Sequence, residues 1–210
     1  MTFFDLDPQF TGRLLEHLLI VFAAVTLTII AGTPLGVCAY FYKGARKPIL
    51  LAVEILQTVP AMALLGIIMI FLGAGKLTVV IGLLLYSLLP IVQNTYVGLS
   101  EADPAIKEAA TGMGMTRMYS LVYVELPIAF PLIFAGIRIA TVTAVVTAAF
   151  ASLVGGGGLG ALIFRGIRTS NMQLIFTSTA ALMLMAIVFD LGMATVEKFL
   201  QRRFFRPKNR

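Results

Sequence analysis

The sequence predicts an all-α membrane protein with five transmembrane helices and one water-exposed helical hairpin between the third and the fourth. Three observations carry that reading. Hydrophobic residues make up 59% of the chain and charged residues only 12%, about half the charge of a soluble domain of this size. Five stretches exceed the roughly 18 uncharged apolar residues that suggest a membrane span. They are continuously apolar, not alternating, and outrun the ~9–11 residues of a barrel strand.

The spans are expected at about 14–42, 48–72, 77–99, 126–154 and 174–200, with a polar loop at about 100–123, all within one domain over 1–210. At about 1.5 Å per residue each reaches across a core of about 30 Å. The first follows an acidic start with Asp5 and Asp7, and reads as a retained span, not a cleaved leader. Prolines are expected to interrupt the spans at Pro34, Pro60, Pro90 and Pro131. The second is the most disturbed, because Gln57 and Thr58 stand beside Pro60 and suggest a segment facing water. With Tyr86 and Asn94 in the third span, these are the candidate path or gate residues. Small residues recur at helix-packing spacing, Gly32 with Gly36 and Ala144 with Ala148, and point to close helix contact.

Charge sets the orientation. Lys43, Arg46 and Lys47 fill the first loop, and Lys198, Arg202, Arg203, Arg206, Lys208 and Arg210 crowd the tail. Basic loops stay on the cytoplasmic side, so five spans place the N-terminus outside and the 100–123 loop inside. Eleven of the sixteen Lys and Arg then lie on the inner side, which explains the net charge without invoking nucleic acid. Lys76, Arg165 and Arg168 fall in the outer connections. Within the spans, Glu54, Arg138 and Asp190 are costly unless paired or wet, and Arg138 is expected to pair with Glu54 or Asp190, as a fixed tie or as a latch of a gate.

The polar loop has helix punctuation. Asp103 can cap and Pro104 suits the first helical position. The helix is expected to carry Lys107 and Glu108 outward, with Ala109 and Ala110 as slim contact points, and Gly112 and Gly114 to end or bend it. A second short helix over 115–123 would precede Leu126 and Pro127, which turn the chain back to the membrane.

The run Glu108-Ala109-Ala110-Thr111-Gly112-Met113-Gly114, followed by Val124-Glu125-Leu126-Pro127, resembles the EAA loop of ABC-importer permeases, with Val124 where that loop has Ile. The resemblance implies the five-helix, type I permease fold, in which this loop docks on an ATPase. It extends through Ala135-Gly136-Ile137-Arg138, through Gly157-Gly158-Leu159-Gly160 with Gly166, Ile167 and Asn171, and through residues 56–65. Those stretches look like permeases for osmoprotectants such as glycine betaine, carnitine or choline. A methionine-importer permease is the alternative. The resemblance implies a second permease subunit, identical or paralogous, two cytoplasmic ATPase subunits that bind ATP and Mg, and an extracytoplasmic binding protein as a separate chain. No cofactor is expected in this chain, and the expected role is not that of an enzyme.

Other readings fit poorly. Residues 155–160 match G-x-G-x-x-G, but no strand precedes them. Residues 73–76 resemble a phosphate loop, yet Leu77 stands where Ser or Thr is required. His17 is the only histidine and no metal site is expected. Tyr86 and Tyr96 offer a quaternary ammonium only a weak cation–π face, without any Trp. A secondary carrier would leave the hairpin without a task, and a membrane enzyme would need convergent acids and bases.

Overall fold

The computed structural model describes residues 7–204, with side chains described to residue 200. Asp5, Arg206, Lys208 and Arg210 lie outside the described residues, as do the side chains of Arg202 and Arg203. All regular structure among the described residues is helical. In order, α1 is Phe10–Phe41, α2 Lys43–Thr58, α3 Ala61–Leu72, α4 Lys76–Tyr86 and α5 Leu88–Ser100. Then come α6 Pro104–Gly112, α7 Arg117–Ser120, α8 Leu126–Thr147, α9 Leu159–Arg168 and α10 Met172–Phe204.

Four stretches are long and apolar enough to cross a membrane: Phe10–Phe41, Lys76–Ser100, Arg117–Val154 and Met172–Leu200. The fifth crossing is the broken pair of α2 and α3, bent by 102°. The expected single span at 48–72 is therefore two helices. Pro60 lacks the N–H that would continue the ladder and pushes the residue before it toward extended geometry; Val59 is extended, with ψ 130°. The pair still traverses the protein. The start of α2 follows the end of α1, whereas Lys76 at the start of α4 pairs with Glu16 near the beginning of α1.

The other prolines act differently. α1 runs through Pro34 and α8 through Pro131 without a break, so neither interrupts its span as expected. Near Pro90 the break falls at Ser87, where Lys76–Ser100 changes from α4 to α5 yet remains one span. Leu126 and Pro127 do not turn the chain either. A π-turn at Leu121–Glu125 joins α7 to α8, with the Leu126 N–H reaching back to the Leu121 carbonyl. Widening the ladder there removes the need for the bond that Pro127 cannot make.

Helix α5 is the central post, packed on α1 and α8. Close approach is possible because glycine faces it from both sides. A Cβ on Gly36 would sit 2.5 Å from Thr95 Cβ, and one on Gly136 2.5 Å from the Pro90 carbonyl oxygen. The expected packing role of Gly36 thus has a definite partner. Val21, Val79, Leu83, Val145, Leu159 and Leu162, from α1, α4, α8 and α9, form the main core. A smaller cluster of Leu99, Leu121, Ala129 and Ile133 closes the end near α6. We call that the elbow end, and the end holding residues 155–158 the glycine end.

Alanine at Gly36 or Gly136 is expected to lower stability by about 1–3 kcal/mol, the usual cost of overpacking. Gly12→Ala, with nothing within 4 Å of the added methyl, should leave it unchanged or slightly higher. Thermal unfolding of the purified protein in detergent decides between these outcomes.

Candidate functional site

The elbow begins with a capped helix. Asp103 Oδ1 accepts the Ala105 N–H at 2.9 Å, and Pro104 occupies the first turn. The helix ends in a Schellman motif: the Gly114 N–H bonds the Thr111 carbonyl at 2.9 Å, and the Met115 N–H the Ala110 carbonyl at 3.1 Å. Gly114, at φ 77°, supplies the left-handed residue this motif requires. Gly112 is instead the last helical residue. Thr116 then caps α7 through the Tyr119 N–H.

Three tethers fix this hairpin to the spans. Lys107 does not point outward as expected. Its Nζ donates to the Leu99 carbonyl at 2.9 Å and lies 5.2 Å from the Tyr40 ring centroid. Arg117 Nη2 donates to the Phe41 carbonyl at 2.9 Å and covers that residue's ring. Both cations thus meet carbonyls at the C-terminal ends of spans, where the helix dipole favours positive charge. The third tether is Glu125, which is buried; its carboxylate accepts hydrogen bonds from Tyr40 and, at 3.2 Å, from Ser120 Oγ. Because burial of an unpaired carboxylate is costly, these partners are obligatory.

What faces outward is a different set. Glu108 and Ala109 are exposed, but Ala110 is buried beneath the helix and cannot be a contact point. Met113, Met118 and Tyr119 are more than half exposed around the same elbow. Leu126 and Pro127 are half-buried in the first turn of α8. The sequence reading missed Tyr40, Arg117, Ser120 and Glu125. Glu125 left a signal, a lone carboxylate between Val124 and Leu126 at the mouth of an apolar run.

The proposed path residues separate. Thr58 is exposed and its hydroxyl returns to the Ile55 carbonyl; Pro60 is exposed at the start of α3, and Gln57 is half-buried. Tyr86 ends α4 half-buried, while Asn94 Nδ2 donates to the Pro90 carbonyl at 2.8 Å beside Gly136. No hydrogen bond joins these residues to one another among the described residues. One face of the Tyr96 ring is taken by Arg46, 4.5 Å from its centroid.

Of the three intramembrane charges the structure unites two. Arg138 Nε and Nη2 donate to the two Asp190 oxygens at 2.5 and 2.7 Å. Glu54 is exposed, and no ion pair reaches it among the described residues. At the glycine end, Glu16 gathers Arg13 and Lys76, each at 2.9 Å, and the Gly158 N–H at 3.0 Å. Arg165 pairs with Asp7. The buried His17 donates from Nε2 to the Val145 carbonyl at 3.1 Å, a structural tie between α1 and α8.

Comparison with known proteins places this geometry in context. Residues 19–206 match the family described as binding-protein-dependent transport system inner membrane component. The chain is 42% identical over 180 residues to the osmoprotectant import permease protein OsmW of Salmonella typhimurium, covering 83% of this chain and 84% of that protein. It is 38% identical over 183 residues to the glycine betaine/carnitine/choline transport system permease protein OpuCB of Bacillus subtilis, covering 87% and 84%. Among solved structures, a chain of the inward-facing MetNI methionine ABC transporter superposes with a TM-score of 0.85 at 21% identity, covering 91% of this chain and 95% of that one. At that identity the likeness shows the fold alone.

Tyr40→Phe is expected to cost about 1–3 kcal/mol, because it removes a partner of the buried Glu125 carboxylate. Gly114→Ala should cost about 1–2 kcal/mol by forcing a side chain into left-handed geometry. Gly112→Ala, in open space, should not destabilise. Melting temperatures of the three variants in detergent test this order.

Proposed function

The chain belongs to the family of binding-protein-dependent transport system inner membrane components, and on that premise we propose that it is the permease subunit of an osmoprotectant importer driven by a separate ATPase. The carrying observation is the elbow. It is roped to the ends of α1, α5 and α8 by Arg117, Lys107 and Glu125, while Glu108, Ala109, Met113, Met118 and Tyr119 face outward. A push on that outer surface moves three spans as one body, because each tether is a charged or charge-assisted contact.

The elbow end lies in the cytoplasm. Lys43, Arg46, Lys47, Lys107 and Arg117 gather there, as the positive-inside rule requires. The N-terminus and the glycine loop then face outside, where a soluble binding protein docks. Two ATPase subunits meet the elbows of two permease subunits and hold the ATP and Mg. Pairing with a second permease subunit is part of this reading, because five crossings are too few to enclose a path with two access states. The permease itself catalyses nothing; it alternates between access states.

The compatible solutes named for the similar permeases, glycine betaine, carnitine and choline, are the proposed cargo class. Substrate choice rests partly with the binding protein, so the path itself needs only modest affinity.

Cells relying on this system, with its ATPase and binding protein, should take up glycine betaine, carnitine or choline. Glu108→Arg should abolish ATPase co-purification and cut uptake by about tenfold or more, as reversal of a central interface charge does. Uptake of methionine alone would favour the methionine reading. Uptake by the purified chain in liposomes without any ATPase would overturn the proposal.

A further inference from the structure

We propose that the Arg138–Asp190 pair, with the cavity beside it, is a contact station for small zwitterions that carry a carboxylate and a cationic nitrogen. The proposal rests on the transport reading above and specifies what the path recognises. Arg138 lies about 18 Å along α8 from Leu126 and Asp190 about 27 Å along α10 from Met172, deep within both spans. A pair so placed is costly against lipid, yet about a third of each side chain is exposed, 34% and 38%. The face is therefore turned to water or to a partner, not to hydrocarbon.

A cavity of about 390 Å³ opens there, lined by Ala135, Arg138, Ile139, Val142, Thr143 and Asp190. That volume falls within the roughly 300–1,000 Å³ of small-molecule sites. Its lining has the composition such sites share, apolar walls with a few polar groups. Arg138 gives Asp190 one N–H from Nε and one from Nη2. A guanidinium has five such donors, so three remain for an incoming carboxylate.

Charge balance selects the ligand. The two charges of the pair cancel each other, with the Glu197 carboxylate within electrostatic reach of Arg138, and a zwitterion brings one charge of each sign. Its carboxylate can meet Arg138 while its cationic nitrogen meets Asp190, so each charge of the ligand faces an opposite one. Methyl groups on that nitrogen would pack on Ile139 and Val142. A cation without a carboxylate leaves the free Arg138 donors unused, and an anion alone faces Asp190. The station therefore favours betaine-type ligands over choline-type ones.

The test uses the complete transporter in proteoliposomes, with ATPase and binding protein, and compares glycine betaine with choline uptake. The variant Arg138→Gln/Asp190→Asn removes both charges together, which avoids an unpaired one. Betaine uptake should fall about tenfold or more, the loss of a charge-assisted contact, with choline uptake falling much less. Equal loss of both substrates, or no loss, overturns the station. Failure of the variant to hold its ATPase partner would make the pair an assembly tie and also overturn it. If that variant does not fold, Arg138→Lys decides: a raised half-saturation for betaine but not choline supports the station, and a common change rejects it. A wild-type complex that imports neither solute sinks the transport reading itself, an outcome distinct from any of these.

Discussion

The architecture depends on how closely three backbones approach at α5. With Gly36 against Thr95 and Gly136 against Pro90, neighbouring axes come nearer than any side chain would permit. In lipid this matters more than in water. Hydrocarbon offers apolar side chains as good a home as the protein interior, so close packing and hydrogen bonds must hold helices together. The post also meets the hairpin, where Leu99 presents a carbonyl to Lys107, while Leu83 of α4 belongs to the main core.

Polar contacts are arranged by depth. At the elbow end, Lys107 and Arg117 neutralise helix C-termini and Glu125 locks onto Tyr40 and Ser120. At the glycine end, Glu16 collects two cations and a backbone N–H, tying α1, α4 and the glycine loop. Between them, farther from the span ends, Arg138 pairs with Asp190. The elbow's tethers run to α1 and α5, and its chain continues through the π-turn into α8. The middle pair is exposed to a cavity, whereas the elbow's glutamate is sealed.

Much of the fold was legible. Hydropathy marks the spans, because no other environment accepts such long apolar runs. Asp103 with Pro104 announced the start of α6, and a glycine announced its end. The prolines were less readable. Pro34, Pro60, Pro90 and Pro131 look alike in sequence, yet only Pro60 bends a span sharply, by 102°. How far a proline bends a span depends on the helices packed around it, which one chain position cannot disclose. Pro127 was misread for a related reason: a π-turn absorbs it without changing direction.

The sequence by itself determined the class of fold, the place of the polar hairpin and the family, since hydropathy and a spaced motif are local properties of the chain. Only the tertiary structure decided which residues the hairpin shows and which it hides. Lys107 turns back to α5, Ala110 is buried, and Glu125 finds Tyr40, a residue 85 positions away. The same holds for Arg138, which chose Asp190 over Glu54. A charge in a span must find a partner, and that necessity is written in one dimension. Which partner it finds depends on which helices pack side by side and at what rotation, and that is settled only in three.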